Sequence, residues 1–135
     1  MTGAKPVLSV SRDYPFDEHY THILGYVSEA SEKDILNNEK IKLNHVPGLK
    51  VGKTGLEKSL ENQLLGTNGI QRYEVNAYGK RINQVDFKKG EHGKKIKITV
   101  DTEVQKLSNE LLKDVAGSIS VMDIYTGEII AMQSS

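Results

Sequence analysis

Apolar residues along this chain fall into short runs whose period keeps changing. In "KPVLSVSRDYP", Val7, Ser9 and Ser11 alternate with Leu8 and Val10 until Pro15 ends the run, which predicts a short strand. From Asp17 to about Val27, His19, His22, Ile23 and Tyr26 recur at helical spacing. Asp17 stands where it would cap that helix, and Gly25 where the helix would end or bend. Ser31 is the next expected N-cap, opening a short helix in "SEKDILNNEK" ahead of the turn-rich "NHVPG". Thr54 followed three residues later by Glu57 reads as a capping box, each side chain accepting from the other residue's backbone N–H. Behind it, Leu56, Leu60, Leu64 and Leu65 give a helix one apolar face and Gly66 stops it. Burying those leucines would contribute ~2 kcal/mol each before entropy is subtracted.

The period then shortens. Val75 and Ala77 alternate with Glu74 and Asn76, and Ile96, Ile98 and Val100 with Lys95, Lys97 and Thr99, between turn signals at Asn68-Gly69, Gly79, Gly90 and Gly93. These runs predict strands of one antiparallel sheet with one wet face. After Asp101, Thr102 and Gln105 suggest a second capping box, and Val104, Leu107, Leu111, Leu112 and Val115 the apolar stripe of a helix ending near Gly117. "SISVMDIYTGEIIAM" reads as a hairpin turning at Tyr125-Thr126-Gly127. Its strands are apolar on both faces: Ile119 and Val121 against Met122 and Ile124, then Ile129 and Ala131 against Ile130 and Met132. Such strands expect cover on two sides, so this portion reads as the opening of a second, truncated domain. Beyond about residue 116 the expectation is self-association, strand exchange or disorder.

Composition narrows the picture only a little. A chain of 135 residues holds one domain, or a modest domain plus part of another. Its 18 basic and 18 acidic residues balance, so no overall field draws it to nucleic acid or to an anionic surface. Without cysteine there is neither a disulfide framework nor a thiolate zinc site. No run approaches the roughly 20 apolar residues that span a bilayer, and the first residues lack a signal-peptide pattern, so the chain as given is expected to be soluble.

Candidate chemistry is sparse. Gly52-Lys53-Thr54 matches the last three residues of a phosphate-binding loop, which leaves a nucleotide-binding module as the alternative function. Against it, Pro47 occupies the first glycine position and no apolar strand leads in. Lys53-Thr54-Gly55 is also a tripeptide of penicillin-reactive enzymes, but no serine here has lysine three residues later and no Ser-x-Asn occurs, so acyl transfer lacks a nucleophile. His19 and His22, three apart beside Asp17 and Glu18, could hold zinc only if a third ligand arrived; packing histidines are the plainer reading. Lys88, Lys89, Lys94, Lys95 and Lys97, with Lys80 and Arg81, form the local basic excess, read as a solvated hairpin edge with only Phe87 as a nearby aromatic. No catalytic, metal or cofactor-binding residue is assigned.

The order of motifs says more than any one of them. "RDYPFDEHYTHILGYVSEASEKD", "GLKVGKTGLEKSLENQLLGTNGIQRYEVNAYG", "KKGEHGKKIKITVDTEVQKLSNELL" and "AGSISVMDIYTGEIIAMQSS" follow one another as in the non-catalytic N-terminal region of class B penicillin-binding proteins, which this chain resembles from about Val7 to Ser135. The resemblance is best to the elongation-type peptidoglycan D,D-transpeptidases. It implies an α+β fold: small antiparallel sheets with short helices in an elongated stalk-like dimerisation or pedestal domain over residues 1–100, then one helix and a β-hairpin from the start of a transpeptidase domain over 101–135. Arg12, Tyr14, Pro15, His22, Gly25 and Tyr26 match one stalk motif, and Gly52, Gly55, Leu56, Glu57, Leu64, Gly66 and Gly69 the next; with Thr54, these positions are implied to tie the stalk together. By the same resemblance Glu57 reaches other stalk motifs, including an arginine-rich one upstream of this sequence. The implied location is the periplasmic side of the bacterial inner membrane, held by an anchor absent here. The implied partners are a SEDS-type glycosyltransferase, a rod-shape scaffold protein and the chain's own transpeptidase domain, with no nucleic acid and no cofactor. The catalytic serine motif is missing, so transpeptidation and β-lactam acylation are not expected of this chain.

Overall fold

Residues 11–135 are described by a computed structural model; the strand expected around Val7 to Val10 lies outside them. The first helix, α1 (Asp17–Leu24), buries Tyr20 and Ile23. Its N-cap position is held by Phe16, which supplies no side-chain bond, so the helix starts one residue earlier than a cap at Asp17 required. Gly25 ends it as expected, at φ 75, with its N–H on the Thr21 carbonyl at 3.0 Å.

Strands β1 (Val27–Glu29) and β2 (Lys50–Gly52) pair antiparallel with Ser28 opposite Val51, and bonds from Ala30 N–H to Leu49 O and from Lys53 N–H to Tyr26 O extend the ladder. Between them run α2 (Glu32–Asn37) and α3 (Glu39–Asn44). Ser31 caps α2 as expected, and Asp34 returns its carboxylate to the Ser31 N–H at 2.8 Å, completing a capping box. Asn38 then caps α3 through the N–H groups of Lys40 and Ile41.

The leucine-faced helix is two pieces, α4 (Gly55–Ser59) and α5 (Glu61–Leu64), parted at Leu60. Its buried residues are Glu57 and Glu61; Leu56, Leu60, Leu64 and Leu65 are only half-buried. The Thr54–Glu57 capping box does not form, because the Glu57 carboxylate is bonded elsewhere.

A hairpin follows, β3 (Ile70–Val75) and β4 (Arg81–Lys88), with irregularities in register at Arg72/Tyr73 and Glu74/Val75. The one-side-wet sheet is corrected here. The hairpin is wet on both faces, and residues 95–100 join no strand. Half-buried Ile96, Ile98 and Val100 do alternate with exposed neighbours, so the pattern marks the more sheltered side of a segment that has no strand partner among the described residues.

The last unit is α6 (Thr102–Leu112) against the hairpin β5 (Ser118–Met122) and β6 (Ile129–Ser134). Asp101, not Thr102, caps α6, accepting from Glu103 and Val104 N–H. Thr102 is bonded instead to the Tyr20 hydroxyl at 2.9 Å, which corrects the second expected box. The predicted stripe is only partly the inner face: Leu112 is buried and Val104 half-buried as expected, but they share that face with buried Gln105 and Ser108, whereas Leu107, Leu111 and Val115 are more than half exposed. The turn is the one expected, with Gly127 at φ 76 and the Asp123 carboxylate accepting from Tyr125 and Thr126 N–H. One face of this hairpin, including Ala131 and Gln133, is buried where β6 packs on α6 and α1; Met122, Ile124 and Met132 on the rest of it remain exposed. Among the described residues the architecture is α+β, with three separate two-stranded antiparallel sheets joined by short helices.

Candidate functional site

Three junctions hold these pieces, and each is made by polar or backbone contacts. At the first, the segment before α1 lies against α4. The Arg12 guanidinium grips Glu57 with two bonds, Nε to Oε1 at 2.7 Å and Nη2 to Oε2 at 2.8 Å, and the Tyr14 hydroxyl donates to Oε1 at 3.3 Å. The Glu57 side chain is 8% exposed and that of Arg12 42%. Partial burial, and then the Glu57 charge, push the Tyr14 hydroxyl pKa up. One turn on, Glu61 accepts from the Gly52 N–H, and burial raises its pKa, with the nearby Glu57 charge adding to the rise.

Glycines let the backbones meet here. A Cβ on Gly25 would fall on the Thr54 carbonyl, one on Gly52 on the Glu57 carbonyl, and one on Gly55 would sit 2.7 Å from the Gly25 nitrogen. Arg12, Tyr14, Gly25, Gly52, Thr54, Gly55 and Glu57 therefore converge. Tyr26 lines the same shallow cavity as Tyr14, Gly25 and Thr54, while Pro15 is exposed in the turn before α1. His22 borders another hollow, with Thr21, Asn109 and Gln133. Leu56 and Leu64 are half-buried on α4 and α5.

Gly66 and Gly69 belong to a second junction. There Thr67 and Glu91 exchange N–H···O bonds of 2.9 Å, and a Cβ on Gly66 or Gly93 would strike the Glu91 or Leu64 carbonyl oxygen. This crossing forms the root of the β3–β4 hairpin.

The third junction joins α1, α6 and β6, and its centre, Gln105, was not singled out for this role. Fully buried, Gln105 accepts from Met132 N–H at 2.9 Å and shares its amide hydrogens among the carbonyls of Met132 and His19 and the Gln133 side-chain oxygen. Its amide thereby occupies the outer edge of β6 as a neighbouring strand would. The available signal was a glutamine spaced three and seven residues from Ser108 and Leu112 on one helical face.

The Gly52-Lys53-Thr54 segment is spent on structure. Gly52 N–H is bonded to Glu61, Lys53 N–H to Tyr26 O, and the Lys53 ammonium to Asp34. With those three donors taken, the segment lacks the run of successive N–H groups that cradles a phosphate.

Two predictions arise here. Arg12→Ala strands a buried carboxylate beside Glu61, whereas Glu57→Gln leaves a half-exposed guanidinium that can turn into water. Discounted for Arg12's solvent contact, the first should cost about 2 kcal/mol and the second under about 1. Urea midpoints check this, and equal losses would show that the carboxylate is not the buried partner. The pH dependences oppose one another. Lys53, then the Ser31 hydroxyl and N–H, hold Asp34 well below the usual carboxylate range, so its stabilisation is present above the unfolded value of about 4 and fades as pH falls below it. Glu61, raised, is a cost at neutral pH that protonation relieves. Between pH 7 and about 5, wild type should gain stability relative to Glu61→Gln; below about 4 it should lose stability relative to Asp34→Asn.

Small paired strands, short helices and buried polar clamps define a mixed α+β module whose described residues are organised around junctions. The chain belongs to the penicillin-binding protein dimerisation domain family, whose model matches residues 1–98. It is 34% identical over 126 residues to the peptidoglycan D,D-transpeptidase MrdA of Haemophilus influenzae, covering 92% of this chain and 19% of that protein. The PBP2 of Helicobacter pylori, solved in complex with MreC, superposes with a TM-score of 0.73 at 30% identity, covering 90% of this chain and 22% of that one. A chain of a peptidoglycan synthase complex gives 0.65 at 28% identity, over 84% of this chain and 22% of its own length. This chain thus spans about a fifth of the relatives it matches.

Proposed function

We propose that this chain is the non-catalytic stalk of a bacterial peptidoglycan D,D-transpeptidase. Residues 1–100 form the pedestal, and α6 with the β5–β6 hairpin opens the transpeptidase domain. The stalk sets that domain at a fixed distance from the inner membrane on its periplasmic side and offers surfaces to cell-wall elongation partners, a rod-shape scaffold of the MreC kind and a SEDS-type glycosyltransferase. Among the described residues no helix is long and apolar enough to cross a membrane.

The observation that carries this reading is the third junction. Gln105 bonds α6 to the α1 carbonyl of His19 and to β6, and Thr102 bonds the α1 hydroxyl of Tyr20, so pedestal and hairpin are coupled by part-buried bonds rather than by a free linker. A rigid coupling is what a spacer needs if partner binding on one part is to be felt by the other. The clamp residues Arg12, Tyr14, Gly25, Gly52, Thr54, Gly55 and Glu57 serve the same rigidity and touch no substrate.

The test is binding of this chain to the purified MreC ectodomain from the same genome, followed by titration calorimetry. Association in the micromolar range is expected, with no covalent labelling of the chain by a fluorescent penicillin. Absence of binding at high micromolar concentration removes the partner role, and covalent labelling removes the non-catalytic one.

A further inference from the structure

The β3–β4 hairpin stands apart from the rest of the molecule. Beyond marginal touches, its two strands pack on each other alone. Ile70, Val75, Ile82, Val85 and Phe87 are each between 46% and 67% exposed on it. An isolated two-stranded ribbon is at best marginally stable in water, so a free-standing one needs a firm root. The root is present: the Gly66, Gly69, Gly90 and Gly93 crossing presses two backbones together and fixes the direction in which the arm leaves.

One face of the arm is organised. Register places Gln71 opposite Phe87 and Val75 opposite Arg81. With Tyr73 opposite Gln84, the pairing puts Tyr73, Val75 and Phe87 on the same side, while Val85 falls at the register irregularity. Arg81 lies over the Tyr73 ring at 4.5 Å, which holds the ring flat along that face. Charge is segregated here too. Residues 70–97 carry eight Lys or Arg against three Asp or Glu, so within a chain of 18 and 18 the remainder carries ten against fifteen. Arg81 shares this side, Lys80 and Lys89 stand at the ends of the strands, and Arg72 and Lys88 alternate onto the other face.

The geometry points to this arm face as the docking surface for a partner protein that presents an apolar patch rimmed by acidic residues. The inference rests on the stalk reading above and names the surface its protein partner uses. An apolar centre with a charged rim is the anatomy of a protein–protein contact, and the local positive excess selects the sign of the rim and steers encounter. A lipid surface suits the arm less well. Its apolar side chains lie along the flanks of the strands, whereas the tip, Asn76 to Lys80, offers only Tyr78 to a bilayer interface.

The experiment uses the full chain and, as probe, the MreC ectodomain from the same genome, with phosphatidylglycerol vesicles as the lipid arm. Val75→Asp/Phe87→Asp should weaken ectodomain binding at least tenfold, with the melting transition unchanged because both side chains already face solvent. Arg81→Glu should slow association and flatten its salt dependence. Wild-type binding that survives both variants intact overturns the arm and leaves the stalk reading standing. No wild-type binding removes the partner role itself and the arm with it. Sedimentation of the wild type with vesicles, reduced by the same variants while ectodomain binding is not, assigns the face to lipid and overturns the proposal.

Discussion

Gln105→Leu should destabilise the protein by about 3–5 kcal/mol, although leucine nearly matches glutamine in volume and adds apolar surface. The substitution keeps the packing of α6 on β6 and removes the bonds. Met132 N–H, Met132 C=O and His19 C=O then lose their contacts with the Gln105 amide inside the joint, at about 1–3 kcal/mol for each group that water cannot reach. A domain of this size has about 5–15 kcal/mol in total, so the loss is a large share of it. The signature goes beyond a lowered urea midpoint. Met132 N–H should exchange with solvent far faster relative to Val51 N–H, because the joint opens before β1–β2 does. Uniform acceleration of both amides would mean that Gln105 is merely a core residue.

Gln105 also shows where sequence reasoning reaches its limit. Signals confined to neighbouring residues were legible: the Ser31 cap, the Gly25 stop and the Gly127 turn all occur where the letters place them. Two capping boxes written in the same grammar do not form. Glu57 meets a guanidinium 45 residues away in sequence, and Gln105 meets the Met132 backbone 27 residues on; each long-range bond is at least partly buried, so it outweighs a solvent-exposed local cap. Asp34 keeps its box while also taking the Lys53 ammonium, because a single carboxylate oxygen, Oδ2, has lone pairs enough to accept from both. Hydrophobic periodicity misled in a second way. It chose Leu107 and Leu111 as the inner face of α6, but polar Gln105 and Ser108 face inward with Leu112, since the groups they meet are backbone carbonyls and amides. The chain's resemblance to its family was carried by glycines and charged residues, and these are what the junctions are made of; Arg12, Gly25, Gly55 and Glu57 converge, whereas Gly66 and Gly69 serve the root of the arm.

Glycine substitutions can separate two costs that coincide at the first junction. Gly127→Ala places a Cβ at φ 76 with nothing within 4 Å, so only the left-handed backbone penalty applies, about 1–2 kcal/mol. Gly93→Ala has no such conformational penalty, but its Cβ would coincide with the Leu64 carbonyl, a backbone atom that cannot swing aside. Moving the two segments apart at the arm's root should cost about 3 kcal/mol, at the upper end of overpacking effects. Gly25→Ala meets both penalties, φ 75 and the Thr54 carbonyl, and the displacement it forces would pull Thr54 and Gly55 off α1 and carry α4, with Glu57, away from Arg12. The expected order of loss is Gly25→Ala above Gly93→Ala above Gly127→Ala, with the first at about 4–5 kcal/mol and close to the whole stability of the chain. Thermal melts of the three variants decide it. A Gly25→Ala protein no less stable than Gly127→Ala would mean that α1 and α4 do not touch through their backbones, and the first junction would lose one of its closest contacts.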